Sequence, residues 1–172
     1  MQSYQAKVEP VTVEQLSAQR FAPYGSVIDE SALFYPEFDD TGEGRIAFER
    51  ITMTRTPLDR HTIGFHFSYT QPVVVLNGVF GLTVASPPKN PNAGREEADL
   101  DYRTLRSFEL RSGDAVLINR GVWHDFAYLS ESCTILHLTR RLTADRYSSP
   151  ADLINMTVRD GRVIRLKYEP LA

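Results

Sequence analysis

The sequence predicts an all-β fold, and three observations carry that reading. Short runs rich in β-branched and aromatic residues recur along the chain. Turn-forming Gly, Pro, Asn and Asp separate them at close spacing. The gaps between most runs leave no room for the crossover helices that a parallel α/β sheet needs. Together these features indicate an antiparallel sandwich or barrel with a few short helices.

Each element follows from local chemistry. "TVEQLSAQRF" opens on Thr12 with Gln15 three residues on, a capping-box pattern that predicts a short helix. Pro23 and Gly25 then punctuate, and Val27-Ile28 begins an extended piece. "RIAFERITMTRT", Arg45 to Thr56, alternates and predicts a strand. "PVVVLNGVFGLTVAS" places two apolar runs around Asn77-Gly78, which predicts a hairpin. Further strands are predicted at Ser107 to Leu110, Ala115 to Ile118, Val122 to Tyr128 and Cys133 to Leu138. Between Pro87 and Tyr102 the chain is rich in Pro, Asn, Gly and acids and reads as a long surface loop, of the kind that forms lids or interface arms. Ser149-Pro150 followed by "ADLINM" predicts a capped helix, and Asp160-Gly161 predicts a hairpin from "MTVR" into "RVIRLKY".

Composition bounds the function. At 172 residues, 42% hydrophobic and 24% charged, the chain suits one domain over residues 1–172. A net charge of −3 provides no basic field to hold nucleic acid or anionic lipid. One cysteine, Cys133, forms no intrachain disulfide, which fits a reducing compartment; it reads as a small buried hydrophobe. "MQSYQAKVEP" lacks the order of a signal peptide, and no apolar run nears the ~20 residues that span a bilayer. The expectation is a cytoplasmic protein with no membrane or nucleic-acid partner.

The stretch "GDAVLINRGVWHD", Gly113 to Asp125, carries the strongest functional signal. A strand leads into a turn at Asn119-Arg120-Gly121, and His124 lands in the return strand, where a core position would favour Val or Ile. Alternation puts Val122, His124, Phe126 and Tyr128 on one face and Trp123 on the other, where it packs or meets a second copy. Upstream, "HFSYTQPVVVLNG" holds His66, Gln71 and Gly78. These spacings resemble the two motifs of the cupin barrel superfamily. His66 matches the second histidine of the first motif, Gly64 stands where its first histidine would be, and Gln71 replaces its glutamate. In the second motif Asn119 replaces the proline, while Gly121 and His124 match.

A narrower resemblance, covering most of the chain, is to the ureidoglycolate lyase (ureidoglycolate hydrolase) family of allantoin and purine catabolism. "FAPYGSVI", "HFSYTQ", "LRSF" and "RGVWHDF" resemble its motifs, with His66 and Gln71 kept. Phe67, Ser68 and Tyr69 depart from its Pro-Leu-Gly, and Asp125 replaces the second histidine of its Trp-His-His. The resemblance implies a cupin-like antiparallel barrel or jelly roll and a lyase that cleaves the C–N bond of ureidoglycolate to glyoxylate and urea. It also implies a small substrate bearing a carboxylate, and a homodimer.

The residue chemistry fits such a reaction. His66 and His124 can act as acid and base near neutral pH. Gln71 offers a donor and an acceptor to the ureido group, and Arg120 is the candidate fork for the carboxylate. The same three side chains, His66, Gln71 and His124, are the candidate metal ligands. A divalent metal there would be weakly held, since Gln71 is neutral where a facial set has a carboxylate. His61 and His137 read as structural. The rival readings are a non-catalytic small-molecule-binding cupin and another metal-dependent cupin enzyme acting on a small acid.

Overall fold

The computed structural model describes residues 6–31, 33–38, 45–90, 96–141 and 153–170. Within them the chain is all-β, with two short helices and one 3-10 turn. In chain order the elements are β1 (Lys7–Gln15), α1 (Ala18–Phe21), β2 (Gly25–Val27), β3 (Arg45–Met53), β4 (Asp59–Arg60), β5 (Thr62–Gly64), β6 (Gln71–Asn77) and β7 (Val79–Ala85). The turn Tyr102–Thr104 leads to β8 (Arg106–Arg111), β9 (Ala115–Ile118), β10 (Trp123–Tyr128) and β11 (Cys133–Arg141). The described chain then continues with β12 (Leu153–Asn155), α2 (Met156–Asp160) and β13 (Arg162–Lys167). No helix of the described residues is long and apolar enough to cross a membrane.

Two sheets face each other. One runs β12-β5-β10-β7-β8-β1-β13-β4 and the other β2-β9-β6-β11-β3. Pairing is antiparallel throughout, except that β1 runs parallel to both of its neighbours, β13 and β8. Side chains alternate across each strand, so the inward set of both sheets forms one core: Phe80, Leu82 and Val84 of β7, Phe108 and Leu110 of β8, Val73 and Val75 of β6, Cys133 and Ile135 of β11. A second core lies on the outer face of the eight-stranded sheet. There Trp123, Ala127 and Ala85 pack against Phe65, Ala98, Leu100, Ile154 and Met156. With both faces covered, β7 reads "VFGLTVA", a nearly continuous apolar run rather than an alternation.

Several expectations are corrected. The helix predicted from Thr12 is strand through Gln15, because β1 gains a partner on each side and tertiary pairing overrides the local capping signal. The helix that does form spans only Ala18–Phe21 and is capped by Ser17. The two runs around Asn77-Gly78 are strands, but β6 and β7 belong to different sheets and are not a hairpin. Gly78 still makes the turn: at φ +85° a Cβ would come within 2.3 Å of the Ser132 carbonyl oxygen, so the chain crosses between sheets where only glycine fits. "MTVR" lies in helix α2, which Asn155 caps, and Gly161 closes it in the left-handed conformation. β13 therefore pairs with β1 and β4 rather than folding back on "MTVR". Of the loop from Pro87 to Tyr102, Ala98 and Leu100 are buried in the second core, so that part covers the sheet instead of lying free. The helix expected at Ser149-Pro150 falls largely outside the described residues.

Candidate functional site

A cavity of roughly 200 Å³ opens at one end of the space between the sheets. It is lined by His66, His124, His137, Gln71, Glu49, Tyr69, Thr139 and Asp125, with Ile51, Phe65 and Phe126 as apolar wall. Four pieces of chain position these groups. His124 is the second residue of β10, and Phe126 follows it on the same inward face. Gln71 begins β6 and points inward with Val73 and Val75. His137 of β11 lies directly across from Glu49 of β3 in the antiparallel register. His66 stands just after β5, and the Gly121 N–H donates to its carbonyl (2.7 Å), which pins the 119–121 turn to it. Gly121 has φ +75°, and a Cβ there would meet the Phe67 ring at 2.3 Å, so the close approach of turn and loop requires glycine.

The polar side chains stand in a row within contact of one another. His66 Nδ1 lies 3.0 Å from the Tyr69 carbonyl oxygen, and its Nε2 lies 3.4 Å from Gln71 Oε1. The other end of the Gln71 amide is 3.1 Å from His137 Nδ1, and His137 Nε2 is 3.2 Å from Glu49 Oε2. Tyr69 stacks on the His66 ring with centroids 3.6 Å apart. His124 meets that ring edge-on at 5.0 Å, and the Val122 carbonyl accepts from its Nδ1 at 2.8 Å. A carbonyl can only accept, so Nδ1 of both His66 and His124 carries the hydrogen and Nε2 holds a lone pair.

Burial keeps these imidazoles uncharged. It lowers His66 to about 3, helped by the nearby His124. It lowers His137 to about 4, again with His124 contributing, and it pushes His124 down as well. In the unfolded chain each histidine returns to its ordinary value near 6.5. A folded-state value below the unfolded one means stability that is full above pH ~6.5 and is lost as pH falls from there through the folded values. Acid should therefore destabilise the fold between pH 7 and pH 4, by roughly 2 kcal/mol for a single such histidine at pH 5. Urea melts across that range check this, and a stability flat from pH 7 to pH 4 would show that the histidines are not held neutral.

The structure brings His66, His124 and Gln71 together, as the sequence predicts. It places Arg120 elsewhere: that side chain is not among the cavity-lining residues, and its Nε lies 3.4 Å from Glu37. Glu37 is itself held by Thr70, its N–H donating to Thr70 Oγ1 and its carbonyl accepting from the Thr70 N–H. Trp123 packs on the outer face, edge-to-face with Phe65 and fully buried. Asp125 accepts both arms of the Arg60 fork, at 2.6 and 3.1 Å. Burial pushes the Asp125 carboxyl up while the fork pulls it back. His61 bonds Thr157 through its ring, a structural contact.

Sequence reasoning missed two members of the row. His137, read as structural, lines the cavity, and Glu49 was not singled out. The available signal was alternation: Cys133, Ile135, His137 and Thr139 share a face, so an apolar inward series turns polar toward one end of its strand.

A metal would have to use what is present. Among the described residues no three His, Cys, Asp or Glu side chains are disposed to hold one together. His66 and His124 can each present Nε2, and the remaining donor at the motif positions is the neutral Gln71 oxygen. That donor chemistry fits only a weak site.

Fold and site together define a cupin-like β-barrel with a histidine-lined cavity at one end. No family model matches the chain, and no curated protein does. Among solved structures it is similar to RmlC from Streptococcus suis in complex with dTDP-D-xylose, at 16% identity and TM-score 0.39, covering 59% of this chain and 46% of that one. It is similar to NovW, a 4-keto-6-deoxy sugar epimerase from Streptomyces spheroides, at 15% and 0.40, covering 66% and 51%. Oxalate decarboxylase from Lactobacillus farciminis matches at 14% and 0.41, covering 67% and 28%. The match thus spans about half or less of each of these chains. At this level none of them assigns a ligand or a reaction to the protein.

Proposed function

We propose that this protein is an enzyme cleaving the C–N bond of ureidoglycolate or a closely related small ureido acid, releasing urea and leaving glyoxylate. The observation that carries the reading is the meeting of two neutral histidines in one small cavity, each with Nδ1–H tied to a backbone carbonyl and Nε2 left as a base. Its size supports a small substrate, since pockets for drug-sized ligands run to ~300–1,000 Å³. The motif resemblance supports the substrate class.

The reaction needs one proton moved between two atoms of the substrate. An imidazole Nε2 takes the hydroxyl proton, and the O–H electrons form the carbonyl of glyoxylate. The C–N bond breaks with its pair on nitrogen, which takes the proton back from the imidazolium to complete urea. Each assisted transfer is typically worth about two to four powers of ten in rate. Among the described residues the cavity lining holds no Lys or Arg, and Arg120 is the fork that would exchange Glu37 for the substrate carboxylate. The ureido end lies inward, toward the amide of Gln71.

A divalent metal is not required by this scheme. If bound, it would be held by His66, Gln71 and His124 and would acidify the substrate hydroxyl. Protein purified without added metal and dialysed against a mild chelator should hold well under one equivalent, and Gln71→Glu should raise that content. Elemental analysis checks both. Full occupancy surviving in the wild type would overturn the weak-site assignment.

The test of function is incubation with ureidoglycolate, with and without added divalent metals, following glyoxylate and urea in equal amounts. The neutrality of all three cavity histidines, which supplies no ready acid, favours binding without turnover as the second reading. Calorimetric binding with no glyoxylate would establish that alternative.

A further inference from the structure

The row of side chains across the cavity can be counted proton by proton. With Glu49 as a carboxylate it only accepts, so the hydrogen between it and His137 sits on His137 Nε2. The Gln71 atom 3.1 Å from His137 Nδ1 is the amide nitrogen, which only donates, so Nδ1 holds a lone pair and Gln71 Oε1 faces His66. His66 Nε2 is a lone pair as well, because its Nδ1 hydrogen goes to the Tyr69 carbonyl. Two lone pairs thus face one another at 3.4 Å, beyond the usual 2.7–3.2 Å of an N–H···O bond. The row is one proton short, and the vacancy lies at His66 Nε2.

We infer that Glu49 and His137 are positioning residues that fix the Gln71 amide with its oxygen toward His66, and that this makes His66 the base of the site. The inference rests on the acid–base reading above and deepens it by choosing between the two histidines. A proton arriving on His66 Nε2 completes an unbroken series: His66 Nε2–H to Gln71 Oε1, Gln71 N–H to His137 Nδ1, His137 Nε2–H to the Glu49 carboxylate. The imidazolium formed when His66 takes the substrate proton meets a ready acceptor, polarised by a carboxylate two groups away. Among the described residues His124 has no such series, its hydrogen-bond partner being the Val122 carbonyl at Nδ1. Neither Glu49 nor His137 needs to touch the substrate.

The test does not require turnover. Long-range 15N–1H spectra of the wild-type side chains at pH 7 report each tautomer. The expected result is Nε2–H for His137 and Nδ1–H for His66 and His124. In Glu49→Gln the new amide can donate to His137 Nε2, which frees His137 to carry Nδ1–H and lets Gln71 turn its NH2 to His66. His137 should then switch tautomer, and kcat should fall by at least tenfold with KM changed less than threefold. A wild-type His137 found as Nδ1–H would overturn the inference, as would unchanged tautomers and kcat in the variant. Should Glu49→Gln fail to fold, the wild-type spectrum alone decides. Absence of glyoxylate production with the expected tautomers would instead count against the proposed reaction, leaving the hydrogen-bond order standing.

Discussion

Replacing His66 by alanine is expected to lower kcat by roughly two to four powers of ten while the protein stays folded. His66 lies in the segment after β5, and its ring faces the cavity rather than the apolar core between the sheets. Truncation therefore enlarges a space that is already polar and open, without the cost of a void among close-packed apolar groups. The row through Gln71 loses its proton-accepting end, and the substrate hydroxyl loses its base. His124→Ala removes the neighbouring imidazole 5.0 Å away and should cost a similar amount, because both rings face one bound molecule. Steady-state kinetics on ureidoglycolate and far-UV circular dichroism check rate and fold together. Wild-type rates in either variant would remove that histidine from the mechanism.

The largest stability effect is expected one residue away, at Trp123. Its side chain is fully buried on the opposite face of β10, against Phe65 at 4.3 Å between ring centroids, and its indole N–H donates to the Asp99 carbonyl at 3.1 Å. The Arg159 guanidinium lies over the ring at 5.8 Å. Trp123→Ala removes the largest member of the second core and takes the indole donor from the Asp99 carbonyl. The expected loss is about 3–5 kcal/mol, with a fall in Tm on the order of 10 °C. Chemical denaturation measures it. A change within about 0.5 kcal/mol, the range of surface substitutions, would show that the segment around Asp99 does not seal this face.

Alternation made much of this legible in the sequence. The face shared by Val122, His124, Phe126 and Tyr128 is inward as read, and Trp123 is outward and packed. The pairing partners were not legible. Asn77-Gly78 marks a tight turn, yet the same local chemistry serves a chain crossing between two sheets, and only the global topology distinguishes the two. The helix expected from Thr12 failed for a related reason: two parallel partners brought from distant sequence outweighed a cap. Glu49 escaped because the phase of β3 misleads. Phe48 is apolar but 73% exposed, whereas its neighbour Glu49 is the buried one. A reader who counts hydrophobic residues turns that strand the wrong way, and the partner of His137 goes with it.

The proposed proton transfer needs cavity histidines that are uncharged at neutral pH, with a lone pair free to take the proton. A titration of the wild-type histidine ring protons by NMR, from pH 8 down to pH 4.5, measures this directly. The prediction is that His66 keeps its neutral chemical shift through pH 5, with His137 beginning to change only near the end of the range and His124 showing no midpoint near 6.5. A His66 midpoint close to 6.5 would contradict this reading, because it would mean a solvated ring rather than one buried beside Gln71.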